Sequence, residues 1–193
     1  MKKSTWIILI VIVLLGITLI SMYNRLVNKE ESVANAWAQV ESVYQRRADL
    51  IPNLVNTVKG SAEFESSTLQ EVIEARTAAM GVKVDPSSLS EEDVAKFESA
   101  QQNLSGALQR LMVVVERYPD LKTTANFKEL QAQLEGTENR ITVERMKFND
   151  AVKKYNVAIR RFPSNIIAGM FGFEKKGYFE AAEGADKAPE VKF

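Results

Sequence analysis

WIILIVIVLLGITLISM, residues 6–22, contains no charged side chain, and the uncharged run around it extends from Ser4 to Asn24. At the helical rise of about 1.5 Å per residue, roughly 18–20 such residues cross a hydrocarbon core of about 30 Å. Trp6 and Tyr23 stand at its two edges, where amphipathic rings favour the headgroup layer. Gly16 and Thr18 are no obstacle, because a membrane helix satisfies its own backbone. The competing reading is a buried core helix, but nothing later in the chain is apolar enough to surround so uniform a cylinder. The stretch therefore predicts a transmembrane helix at residues 6–23, preceded by a short cytoplasmic N-terminus at residues 1–5.

Lys2 and Lys3 before an apolar run also suit a secretory signal. The run is longer than the usual core of about 7–15 residues, and ITLISMYNR supplies no small-x-small cleavage site. An uncleaved anchor is expected. Lys2 and Lys3 precede the span and Arg25 and Lys29 follow it. The positive-inside tendency then places the N-terminus in the cytoplasm and the body outside it; the membrane expected is a bacterial cytoplasmic (inner) one.

Beyond the span the helical period continues. Leu26, Val33, Trp37, Val40, Tyr44 and Ile51 make one stripe, the pattern of a helix packed on partners. Pro52 is the first breaker. It predicts a helix end or kink near residues 49–51, with Asp49 capping a second helix over residues 52–80. The stripe of that helix is Val55, Val58, Ala62, Leu69, Val72, Ile73 and Met80, softened at Gly60–Ser61. Asp85-Pro86 marks a loop. Ser90 ahead of Glu91, Glu92 and Asp93 then signals a capped helix start.

A third helix reads from residue 91 to 118 with Phe97, Gln101, Leu104, Leu108, Leu111, Val115 and Tyr118 on its seam, and Pro119 stops it. A fourth, residues 125–162, carries Phe127, Leu130, Leu134, Thr137, Ile141, Phe148, Val152, Tyr155, Ile159 and Phe162. Spacings of three and four are those of a left-handed bundle. The fold class expected is all-α: the transmembrane helix runs on into an antiparallel up-and-down four-helix bundle over residues 24–173, with a mostly irregular tail at 174–193. By parity the fourth helix returns to the membrane. It brings Ile166, Ile167, Met170, Phe171 and Phe173 to the surface as a candidate membrane-proximal apolar patch, or else as a cover for the open end of the core.

The 193-residue chain holds 25 basic and 25 acidic residues. Without Lys2 and Lys3 the balance is 23 against 25, a body near −2 with no basic stripe for nucleic acid. Cys and His are both absent, so thiolate chemistry, the commonest general base and the Glu-x-x-His sets of di-iron bundles are unavailable. No catalytic, cofactor or metal site is expected.

The densest polar group is Arg46, Arg47 and Asp49 beside Asn53. Arg47 falls on the buried seam and needs a partner, for which Glu138, Arg140 and Glu116 mark the candidate segments. It reads either as an ion network fixing register or as a membrane-distal site for an anionic or peptide ligand. Glu135 and Glu138 lie one helical step apart, a carboxylate pair that a hydrolase could use but that usually marks a solvated face. The aromatic series Trp37, Phe127, Phe148, Tyr155 and Phe162 reads as core.

Four stretches together resemble the LemA family: RRADLIPNLVNTVKG (46–60), LQRLMVVVERYPDLK (108–122), FKELQAQLEGTENRI (127–141) and FNDAVKKYNVAIRRFPSNIIAGMFGFEKKGYFE (148–180). The closing APEVKF and the span followed by YNRLV fit the same pattern. The resemblance implies a single-pass membrane protein with an antiparallel four-helix domain outside the cytoplasm, and implies no settled reaction. The function expected is a non-enzymatic scaffold or adaptor in the cell envelope, touching the lipid bilayer and binding an unidentified protein partner or copies of itself as a homo-oligomer. The alternative is a ligand-sensing or accessory domain of a transport or stress system.

Overall fold

A computed structural model describes residues 3–60 and 66–180. Among these the chain is all-helical, with no strand: α1 Lys3–Lys59, α2 Ser66–Gly81, α3 Glu91–Val115, α4 Pro119–Thr123, α5 Ala125–Arg160 and α6 Ser164–Phe171. The expected Ser61–Ala62 part of the second helix and the terminal APEVKF lie outside the described residues.

α1 is one helix of 57 residues, so the apolar span and the first helix of the body are continuous. Its N-terminal part, from Trp6, is long and apolar enough to cross a membrane, and none of its most apolar window is buried by the rest of the protein. α1 lies along α5 and α2 along α3. The side-chain pairings give the directions. Trp37 meets Phe148 and Arg47 meets Glu138, so α1 and α5 are antiparallel. Arg110 meets Glu71 and Gln101 meets the Ala79 carbonyl, so α2 and α3 are antiparallel. Trp37 and Tyr44 pack on Phe97 while Arg47 reaches Gln101, so α3 runs with α1. This is consistent with an up-down-up-down bundle.

The structure corrects the reading of Pro52, which ends nothing: α1 passes through it to Lys59. A proline at this position deprives the carbonyl four residues earlier, that of Ala48, of its helical donor. Arg76 of α2 supplies one, its Nε donating to the Ala48 oxygen at 2.7 Å. Asp49 is accordingly no cap; its carboxylate accepts from Gln45 inside the helix at 2.8 Å. By contrast Ser90 caps α3 as expected, its Oγ accepting the Asp93 amide at 3.1 Å and donating to the Asp93 carboxylate at 2.6 Å.

The core divides in two. A lower cluster gathers Leu26, Val33, Trp37, Tyr44, Phe97, Phe148 and Tyr155; an upper one gathers Ile51, Leu54, Val72, Leu104, Leu111 and Phe127. Most of the expected seam is buried, with two departures. Ile73 is exposed, and Phe162, expected as the last seam residue, is 81% exposed because α5 ends at Arg160 and the chain turns away.

Candidate functional site

Between the two core clusters lies a polar layer centred on Arg47, which is 1% exposed. Its Nη1 donates to Glu138 Oε1 at 2.6 Å and to Ser105 Oγ at 2.7 Å; its Nη2 donates to Gln101 Oε1 at 2.7 Å and to the Gln101 carbonyl at 3.2 Å. The guanidinium also stands 5.0 Å from the Tyr44 ring centroid. Burial raises the Tyr44 hydroxyl above its ordinary pKa, while the Arg145 and Arg47 cations oppose that shift. A charge taken out of water is tolerable only when paired and hydrogen-bonded, and here both terminal nitrogens are.

Of the residues singled out by sequence, Arg47 and Glu138 meet. Arg46, Asn53 and Arg140 are exposed. Glu116 pairs with Lys122 at the α3–α4 corner, well away from Arg47. Glu135 accepts from Gln131 at 3.0 Å, so the two carboxylates of α5 serve different neighbours. Among the described residues no cluster of acidic groups has the arrangement of a metal site.

A second polar system has no periodic signal in the sequence. Residues 174–180 have no regular structure, yet Lys176, Gly177 and Phe179 are buried. Two asparagines of α5 hold this strap by both backbone groups. Asn156 donates to the Lys176 carbonyl at 2.9 Å and accepts its amide at 3.0 Å; Asn149 does the same for Phe179 at 2.9 Å in each direction. The Gly177 amide donates to the Leu89 carbonyl at 2.8 Å, and a Cβ at Gly177 would stand 2.8 Å from the Glu91 Cα. Leu89 itself adopts a left-handed backbone with φ of 41°. Phe179 stacks on Trp37 at 5.8 Å between centroids, and Arg145 joins Glu98 to the Glu180 carbonyl. Lys176 pairs with Glu30 at 3.0 Å over the Tyr155 ring. Burial foremost, with Glu30 alongside, raises the Tyr155 hydroxyl well above its usual value. The one signal in the sequence was the pair of asparagines seven apart on α5.

At the base of the bundle, α6 packs on both α1 and α5. Phe171 and Phe173 meet Tyr23 with centroids 4.8 and 5.8 Å apart, which sets them at the end of the apolar span. Ile166, Met170 and Phe171 are exposed, whereas Ile167 turns into the core. α6 begins after Pro163 with no side-chain cap. Trp6 is exposed on the span, and a Cβ added at Gly16 would meet nothing within 4 Å beyond its own helical backbone.

The chain is 28% identical to magnetosome protein MamQ 1 of Paramagnetospirillum magneticum, over 88% of this chain and 68% of that one. The same figures hold for MamQ of Magnetospirillum gryphiswaldense. Protein LemA of Metamycoplasma hominis is 23% identical over 83% of this chain and 69% of its own length. Residues 36–193, from just before Trp37 through the polar layer, the strap and beyond, match the LemA family, and the chain belongs to that family.

Proposed function

We propose that the protein is a membrane-anchored, non-enzymatic scaffold of the cell envelope, whose bundle stands outside the cytoplasm and works through contacts with other proteins or with copies of itself. The observation that carries this reading is the continuity of α1 from Trp6 to Lys59. A helix without a hinge fixes the body's orientation relative to the bilayer, as a platform requires and a diffusing enzyme does not. The family's name and those of the relatives carry no activity. In this reading Ile166, Met170 and Phe171 rest in the interfacial layer, as an amphipathic turn does.

The sensing alternative leans on Arg47 as a ligand's counter-charge. Both its terminal nitrogens already serve Glu138, Ser105 and Gln101, so a ligand would have to displace these internal acceptors.

Chemical crosslinking in intact membranes, followed by mass measurement, tests the scaffold. A species heavier than the monomer is expected, holding a second copy or a partner; monomer alone would sink the proposal. Protease added to sealed cells stripped of their outer layers should digest the body, and protection of the body would reverse the orientation.

A further inference from the structure

A groove of about 640 Å3 lies between α1, immediately beyond the apolar span, and the C-terminal end of α5. Arg25, Lys29, Lys153, Lys154 and Arg161 line it, against a single acid, Asp150. None of the five cations enters an ion pair among the described residues, although cations elsewhere in the fold, such as Lys96, Lys122 and Lys176, do. Five like charges facing one concavity repel each other and concentrate anions there. The overall charge of the chain is zero, so this is a local arrangement rather than a by-product of a basic protein.

Position narrows the anion. Arg25 and Lys29 follow Tyr23 by two and six residues on the same helix, about 3 and 9 Å higher at the helical rise. The headgroup layer of one leaflet is roughly 5–8 Å deep. The lower end of the groove is apolar, with Met22 at the top of the span and the exposed ring of Phe162. A soluble anion has no use for that end. We infer that the groove holds the headgroup of an anionic glycerophospholipid, its phosphodiester among the five cations and its acyl chains alongside residues 6–22. The inference rests on the membrane-anchored reading and deepens it: the lipid would fix the rotation of the bundle about its anchor as well as its height.

The test uses the full chain reconstituted in vesicles of phosphatidylcholine, alone or with an equal part of phosphatidylglycerol, then extracted in mild detergent and weighed by native mass spectrometry. The protein should retain phosphatidylglycerol in preference to phosphatidylcholine. Replacing Lys153→Gln together with Arg161→Gln should weaken that retention about thirtyfold. Both side chains are exposed and unpaired, so the fold should not suffer. Removing two charges farther up α5, by Lys128→Gln with Arg140→Gln, should leave it unchanged. Equal retention of the two lipids, an unaltered double variant, or displacement of the lipid by inorganic phosphate would each overturn the proposal. Alkaline carbonate washing of the vesicles separates the two failures. A chain that resists washing but shows no lipid preference loses only the groove, whereas a chain that washes off loses the anchor and the groove together.

Discussion

Arg47 shows how a single buried charge is made tolerable and what its removal should do. Four acceptor contacts surround it, while its partner Glu138 is 47% exposed and can return to water. The consequences of mutation should therefore be unequal. Arg47→Ala leaves Gln101 and Ser105 without a donor and opens a cavity between the two core clusters, and should cost about 3–5 kcal/mol. Glu138→Gln keeps an acceptor within reach but removes the counter-charge, and should cost less, about 1.5–3 kcal/mol. Denaturant melts of the full chain in detergent would measure both, and equal costs would contradict the assignment. The two buried tyrosines make a second prediction at this scale. Tyr44 and Tyr155 have folded-state pKa values above the ordinary 10. Their contribution is complete below that value and is lost as pH rises through the raised one, because the unfolded chain ionises first. Thermal stability should fall on the alkaline side, with tyrosinate absorbance appearing late. Tyr155→Phe should flatten that limb. The need of Arg47 for a partner is legible because a charge on a heptad seam demands one, but the sequence leaves Glu138 as one of three candidate segments and the structure selects it. Ser105 is not legible, since only the crossing of α3 over α1 brings it near.

Pro52 marks the limit of local rules at the scale of the helix. Proline inside a helix costs about 3 kcal/mol or more through its ring and the donor it lacks, and on that ground the sequence predicts a break near residues 49–51, where the structure carries α1 on to Lys59. The remedy comes from another helix, through Arg76 and the Ala48 carbonyl, and no pattern within residues 46–60 could announce it. If this account holds, the two positions are coupled. Arg76→Ala should cost about 1.5–3 kcal/mol with Pro52 present, the value of a hydrogen bond from a charged donor, and much less in a Pro52→Ala background, where residue 52 supplies its own amide. Additivity in the double-mutant cycle would dismiss the explanation. The strap at residues 174–180 is illegible in the sequence for a related reason. Its burial depends on Asn149 and Asn156 meeting its backbone, and an aperiodic segment such as EKKGYFE carries no stripe from which burial can be read. The stripes of three-and-four spacing are legible except at Ile73 and Phe162, and the capped start at Ser90 is legible to the residue.

For the molecule as a whole the decisive quantity is the distance of each end of the bundle from the lipid. α1 extends 35 residues beyond Asn24 to Lys59, about 50 Å at the helical rise, and α5 returns to leave Phe162 beside the groove lined by Met22 and Arg25. The chain has no cysteine, so one introduced thiol carries one fluorophore. A donor at Phe162→Cys should transfer energy strongly to acceptors in the bilayer surface, and a donor at Lys59→Cys should transfer little, because an upright helix holds it several times farther off. Comparable transfer from the two sites would mean that the bundle lies flat on the membrane or bends away from its span. Either outcome would remove the fixed platform on which the scaffold proposal depends. Two glycines inserted after Asn24 give the complementary measurement. They interrupt α1 below every buried core residue, Leu26 included, so the melting of the upper cluster should hold while the contrast between the two donors shrinks. A contrast that survives the insertion would show that α6 and the groove, rather than the stiffness of α1, keep the bundle upright.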